Sequence, residues 1–174
     1  YKDYLQERIC APLGLSDTGF VLSEEQRRRL ALVDIDPQVT GFTFDYFIPL
    51  ALPAGGVCST AAELTRFGQA MLKAVKGEKN PILSPAAART ITSLHTAGLV
   101  EAGGVRPATY GLGWAKAGLD AGLRAGGTGF GHGGATATLL WVEPERDLVF
   151  VFLTNVWKEN RVGRLALNAV LGVM

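Results

Sequence analysis

The chain has 174 residues, 48% hydrophobic and 19% charged, with a formal net charge of +1. That is enough apolar sequence for one globular core, which excludes intrinsic disorder, and the even charge gives no electrostatic ground for nucleic acid or an anionic membrane. No apolar stretch reaches the roughly 20 residues of a membrane-spanning helix. With only 2 Cys and 2 His, and no H-x-x-x-H or C-x-x-C spacing, neither a disulfide framework nor a zinc site is expected, and no other cofactor is implied.

The chain opens at Tyr1 rather than methionine, and so reads as a processed product or a piece of something longer. Tyr1, Tyr4, Leu5 and Ile9 share one helical face, with Pro12 expected to end the helix. No capping residue precedes Tyr1, as in the tail of a longer helix. Residues 12–19 carry turn chemistry. Ser23 with Gln26 predicts a capping box opening a helix to about Leu30. Leu32 to Phe47 alternates poorly and is expected as short strands or extended coil. Pro53-Ala54-Gly55-Gly56 reads as a tight turn.

Thr60 with Glu63 predicts a second capping box. Behind it Leu64, Phe67, Met71, Leu72 and Val75 form an amphipathic stripe, with Lys73 and Lys76 at the negative end of the dipole and Gly77 as stop. Ser84-Pro85 opens a further helix, expected to reach about His95. A strand is expected over Tyr110–Trp114. The apolar runs 135–142 and 148–153, joined by Pro144-Glu145-Arg146-Asp147, predict a β-hairpin covered on both faces. Val162, Leu165, Ala166, Ala169, Val170 and Val173 stripe a C-terminal helix that can cover one of them.

These parts make an α+β architecture, an antiparallel sheet packed with helices. Residues 1–108 are expected to be mainly helical, and 109–174 to hold the strands and C-terminal helix. Two or three strands are few for such apolar surfaces, so further strands are expected elsewhere.

Glycine is abundant at 22 residues, more than half of them between Gly98 and Gly134. The densest run is Gly126-Gly127-Thr128-Gly129-Phe130-Gly131-His132-Gly133-Gly134. Its letters satisfy G-x-G-x-x-G, but a dinucleotide fingerprint needs a following helix, and here a strand follows. No Lys-Ser or Lys-Thr completes a Walker loop. A bland reading makes the run a flexible approach to the hairpin. A functional reading notes that His132 is flanked by residues without bulk, where a ligand can approach and exposed amides can stabilise an oxyanion. His95 sits at a helix end, where compensating the dipole explains it. No G-x-S-x-G elbow exists. Cys58 or Ser59 with His132 makes a rival nucleophile arrangement, although Ser59 and Thr60 read better as helix caps.

Several pieces occur in a shared order. They are Tyr4 to Ile9 with Pro12-Leu13-Gly14-Leu15 and Asp17-Thr18, then Pro53-Ala54-Gly55-Gly56 with Ser59-Thr60, then Leu64 and Arg66-Phe67. Tyr110-Gly111-Leu112-Gly113-Trp114, Gly131-His132-Gly133-Gly134 and Leu140-Trp141-Val142 with Pro144 follow. In this order the chain resembles the C-terminal half of the serine β-lactamase-like family, which covers class C β-lactamases, D-alanyl-D-alanine peptidases and related esterases. The resemblance implies an acyl-enzyme mechanism, with a serine of an S-x-x-K motif as nucleophile and a Y-x-N tyrosine relaying protons. It also implies a third motif on a strand bordering the cleft, often K-T-G. His132, Gly133 and Gly134 match that third motif, and Ala135 by carry-over offers a backbone amide to the oxyanion.

The sequence departs from the family in two ways. No serine here has lysine three positions on, and no Tyr or Ser has Asn two positions on. The nucleophile is therefore expected outside these residues, and the chain alone is expected to hydrolyse nothing. Histidine also replaces the motif's lysine. An imidazole, with an ordinary pKa of about 6.5, is mostly neutral at pH 7, and Gly133 removes a threonine hydroxyl. Both changes weaken carboxylate recognition and favour esterase, amidase or peptidase chemistry over β-lactam turnover. The expected partners are an acyl substrate, small or peptidic, and the protein's own N-terminal half or another copy, met through an open sheet edge. A non-catalytic interaction module with the same fold is the alternative.

Overall fold

A computed structural model describes residues 1–33, 44–104, 106–116, 124–157 and 161–174. Helix α1 (Lys2–Leu5) continues through a π-helical stretch, Gln6–Cys10, into α2 (Ala11–Leu13). Pro12 does not end it. Proline sits in the first turn of α2, and a π turn, which closes over one extra residue, lets a helix accommodate the ring. The stop is Gly14, at φ 64°, after which the Leu15 N–H donates to the Cys10 carbonyl at 2.9 Å.

The capping box of α3 (Glu24–Arg29) closes in both directions. Ser23 Oγ accepts from the Gln26 N–H, and Gln26 Oε1 accepts from the Ser23 N–H. The segment expected to be extended lies partly outside the described residues, at 34–43. Its described end is instead one helical turn, α4 (Phe44–Phe47), running into a 3-10 turn, Ile48–Leu50, that buries Ile48.

Helix α5 (Ala61–Val75) starts at Thr60, whose side chain accepts from the Glu63 N–H. The expected second capping box is only half made, because the Glu63 carboxylate turns inward. It accepts from the Asp17 N–H at 3.0 Å and from Thr18 Oγ1 at 2.6 Å. Those donors satisfy a carboxylate that is buried, and they fasten the 16–19 loop to the start of α5.

Helix α6 (Pro85–Thr92) stops short of His95. A continuing helix would bring the His95 N–H to the Ile91 carbonyl. That carbonyl instead accepts from Leu112 at 2.8 Å, and the His95 N–H donates to the Tyr110 carbonyl at 2.8 Å. The same exchange removes the strand expected at Tyr110–Trp114. The arc turns back on itself, with the Gly111 N–H donating to the Trp114 carbonyl at 2.7 Å. A Cβ at Gly111 would lie 2.5 Å from the Ile91 carbonyl oxygen, so only glycine permits this approach.

Four antiparallel strands follow in the order β1-β2-β3-β4: Ala115–Lys116, Phe130–Gly133, Leu139–Glu143 and Leu148–Phe152. Val142 pairs with Val149 and Trp141 with Phe150, so their side chains alternate between the two faces. One face packs on α5, where Phe130, Val142, Met71 and Leu72 form a buried cluster. Gly68 allows this contact, since a Cβ there would meet Val149 at 2.5 Å. The other face carries Trp141 against Leu167 and Leu171 of α7 (Arg161–Gly172). The expected stripe on this last helix is corrected. Gly163, Leu167 and Leu171 are buried, whereas Val162, Leu165 and Val173 face outward. Gly163 is the reason: the ring of Phe152 lies 3.0 Å from where its Cβ would be, and this approach fixes the inward face.

Candidate functional site

His132 lies within a strand rather than ahead of one. The sequence hid β2 because four of its six flanking and internal positions from Gly129 to Gly134 are glycine, a poor strand former. Packing demands several of these glycines. A Cβ at Gly129 would meet Glu143 at 2.8 Å and Trp141 at 2.9 Å; one at Gly131 would overlap the Leu140 carbonyl and the indole of Trp141; one at Gly134 would overlap Thr138 Oγ1. Gly133 differs, because its nearest neighbour would be the Thr138 carbonyl at an ordinary 3.5 Å.

The four expected site residues form one continuous rim. His132 pairs with Leu140 and Gly133 with Leu139. The Gly134 N–H donates to the Thr138 carbonyl at 2.9 Å. By the alternation of an antiparallel ladder, the peptide groups of Gly133 then face the opposite edge. Strand β1 pairs there only with Gly131 and Phe130, so beside Gly133 that edge is uncovered among the described residues. Gly134 to Ala137 form a turn closed by the Ala137 N–H on the Gly134 carbonyl at 3.0 Å. Ala135 takes the second place in that turn. It is exposed, and its amide donates to no partner among the described residues.

The exposed His132 ring meets Gly133 and Tyr110. Nδ1 lies 2.6 Å from the Gly133 carbonyl oxygen, and the Tyr110 ring centroid is 6.1 Å away at 60°. Beside this pair, Trp114 meets Phe130 edge-on at 5.1 Å and stacks on Phe67 at 6.1 Å. The 110–114 arc thus roofs the α5 face of β2, with Trp114 buttressing the core and Tyr110 reaching the rim. The arc is legible in the sequence but the role of Tyr110 is not; the signal for it is Gly111, which marks a close backbone approach.

On β1, Lys116 Nζ donates to the Thr128 carbonyl at 3.0 Å, and burial pushes its pKa down while the Glu143 carboxylate opposes the shift. This lysine serves the far end of β2. The rival nucleophiles are not brought to His132. Ser59 Oγ shares a 2.7 Å hydrogen bond with Thr18 Oγ1, and the Cys58 thiol lies 3.9 Å from the Gly56 carbonyl. Burial also pushes the Cys58 pKa up, the opposite of an activated thiol. His95, three residues past the end of α6, places Nε2 2.8 Å from the Thr90 carbonyl. No cluster of three or more metal-ligating side chains occurs among the described residues, and no helix there is long and apolar enough to cross a membrane.

A free amide on a turn, next to an open strand edge and an imidazole, suits an acyl group whose carbonyl oxygen gains charge. Comparison with known proteins identifies the family. The profile of the family described as Beta-lactamase matches residues 1–173. Penicillin-binding protein 4 of Amycolatopsis lactamdurans is 30% identical over 164 residues, covering 89% of this chain and 41% of that protein. A β-lactamase from Mycobacterium bovis superposes with a TM-score of 0.65 at 25% identity, over 99% of this chain and 56% of that one. Simvastatin synthase from Aspergillus terreus gives a TM-score of 0.72 at 19% identity, over 99% of this chain and 49% of that one, a likeness of fold. The chain thus spans about half the length of these solved structures and less than half of that relative.

Proposed function

The chain belongs to the β-lactamase family, and from that premise we propose that it supplies one wall of the cleft of a serine acyl hydrolase. The nucleophile lies in a part of the protein outside these 174 residues. The serine oxygen bonds to the acyl carbon, the alcohol or amine leaves with a proton, and water then cleaves the ester to free the acid. On this wall the Ala135 amide donates to the oxyanion, His132 faces the bound substrate, and Gly133 and Gly134 keep the strand edge clear. The preferred substrates are neutral esters or amides, since His132 and Gly133 stand where lysine and threonine would grip a carboxylate.

The observation that supports this reading is the Ala135 amide, on an exposed residue and without a partner among the described residues, beside the open edge of β2. Ala135→Pro tests it. Proline suits the second position of such a turn, and Gly134 tolerates a following proline, so the substitution removes the N–H with little disturbance. In the longer protein, kcat for a chromogenic ester should fall about 100- to 1,000-fold, as for loss of one oxyanion donor. The melting temperature should hold. Unchanged turnover with the proline in place would refute the assignment.

A further inference from the structure

Resting on that reading of the cleft, we infer that Tyr110 is a positioning residue which, with the Gly133 carbonyl, holds the His132 imidazole as its Nδ1–H tautomer. The wall then presents a bare Nε2 that accepts a hydrogen bond from a substrate hydroxyl or amide N–H.

The tautomer follows from the partner. A carbonyl oxygen can only accept, so the 2.6 Å contact to Gly133 requires a proton on Nδ1. A neutral imidazole has one N–H, which leaves Nε2 as an acceptor. This bond needs the ring turned back over its own strand, and an exposed ring with one hydrogen bond is free to leave it. Tyr110 limits that freedom, its ring standing at 60° to the imidazole.

Tyr110 is itself anchored independently of His132. Its N–H donates to Thr96 Oγ1 at 2.8 Å, its carbonyl accepts from the His95 N–H at 2.8 Å, and Thr96 Oγ1 donates to the Ala108 carbonyl at 2.7 Å. The adjoining Gly111 is pinned against α6 by a contact that admits no side chain. The phenol ring is therefore a preformed stop, and His132 adapts to it. His95 gives an internal contrast. Its Nε2 faces the Thr90 carbonyl, so that nitrogen carries the proton, and the two histidines of the chain hold opposite tautomers.

Imidazole nitrogen NMR on the full chain, above the ordinary imidazole titration range, reads both rings, with His132→Gln assigning the signals. The expected spectrum shows His132 protonated at Nδ1 and His95 at Nε2. Tyr110→Phe should preserve the pattern. Tyr110→Ala should shift His132 toward the Nε2–H form while His95, held by backbone contacts, stays as it was and reports an intact fold. Should the alanine variant unfold, Tyr110→Leu, which keeps apolar bulk without the aromatic plane, must give the same shift. A native His132 protonated at Nε2 would overturn the inference. So would an Nδ1–H signal that persists in whichever of the Ala and Leu variants folds.

The second arm uses the longer protein and two p-nitrophenyl esters, one with an amide N–H beside the acyl carbon and one N-methylated there. The native enzyme should favour the N–H ester about 3- to 10-fold, the range of one neutral hydrogen bond, and Tyr110→Ala should lose the preference. Equal rates on both esters by the native enzyme would overturn the acceptor role. No turnover of either ester would instead defeat the proposed hydrolase, while the spectra, which need no substrate, still decide the tautomer.

Discussion

Gly131 and Gly133 lie two residues apart on the same face of β2, yet they answer to different constraints. A Cβ on Gly131 has no room beside the Leu140 carbonyl and Trp141, whereas a Cβ on Gly133 meets only the Thr138 carbonyl at 3.5 Å. Gly131→Ala should therefore destabilise the chain by roughly 1–3 kcal/mol, the range for overpacking a core. Gly133→Ala should shift stability by less than about 0.5 kcal/mol, as for an exposed site. Urea denaturation of both variants decides it, and equal losses would show that Gly133 is also held by packing. The sequence carried part of this. The density of glycine around His132 was visible, and so was its link to a cleft. Which glycines are filled by neighbours depends on Trp141 and Thr138 crossing from the next strand, and no local pattern reports that. The same limit applies to Tyr110, whose contact with His132 spans 22 positions and depends on how α6 ends.

Between elements, the loop at Asp17 acts as the clasp that joins α3 to α5. The Asp17 carboxylate accepts from Arg29 Nη2 at 2.6 Å and Nη1 at 3.1 Å, and from Gln26 Nε2 at 3.3 Å. Its own N–H is held by Glu63. The Arg29 guanidinium first, and Gln26 second, hold the Asp17 pKa below the usual carboxylate range. A folded pKa below the unfolded one gives stability that is present above the unfolded value, near 3.9, and lost as pH falls through the folded value. Arg29→Met should thus lower the melting temperature slightly at neutral pH, the pair being partly exposed. The gap to the native chain should close as the pH falls through and below the ordinary carboxylate range. A gap that stays constant over that range would mean that Arg29 acts through packing alone. Both capping residues of α3 were legible, because Ser23 and Gln26 act within one turn. The fate of Glu63 was not, since its partners lie 45 and 46 positions away and only the tertiary fold brings them together.

At the scale of the molecule, the apolar surface is only partly used. Helix α7 is apolar on two faces. One is buried against Trp141, and the other leaves Val162 and Leu165 exposed, with Val173 just past the helix and Leu153 and Val156 past the end of β4 also exposed. Periodicity detected the apolar character of this helix but chose the outer stripe, because Gly163 and the approach of Phe152 decide which face turns in. Strand β4 is the last in the sheet order, so its outer row of backbone groups has no strand partner among the described residues. An apolar edge beside an apolar helix face promotes association. The 174-residue chain on its own should therefore self-associate in sedimentation experiments. Val162→Lys with Leu165→Lys should shift it toward monomer while changing its unfolding free energy by less than about 0.5 kcal/mol per site, since neither side chain is buried in the chain. In the longer protein proposed above, the same pair should cost about 1.5–3 kcal/mol per side chain, the worth of a buried Val or Leu, if the rest of that protein covers this face. The two measurements separate the rival pictures. Destabilisation only in the longer protein means that the remainder of the same fold occupies the face. Tolerance in both, together with loss of association, means that the face belongs to a second molecule. A native chain that stays monomeric at every concentration would show that this surface recruits nothing.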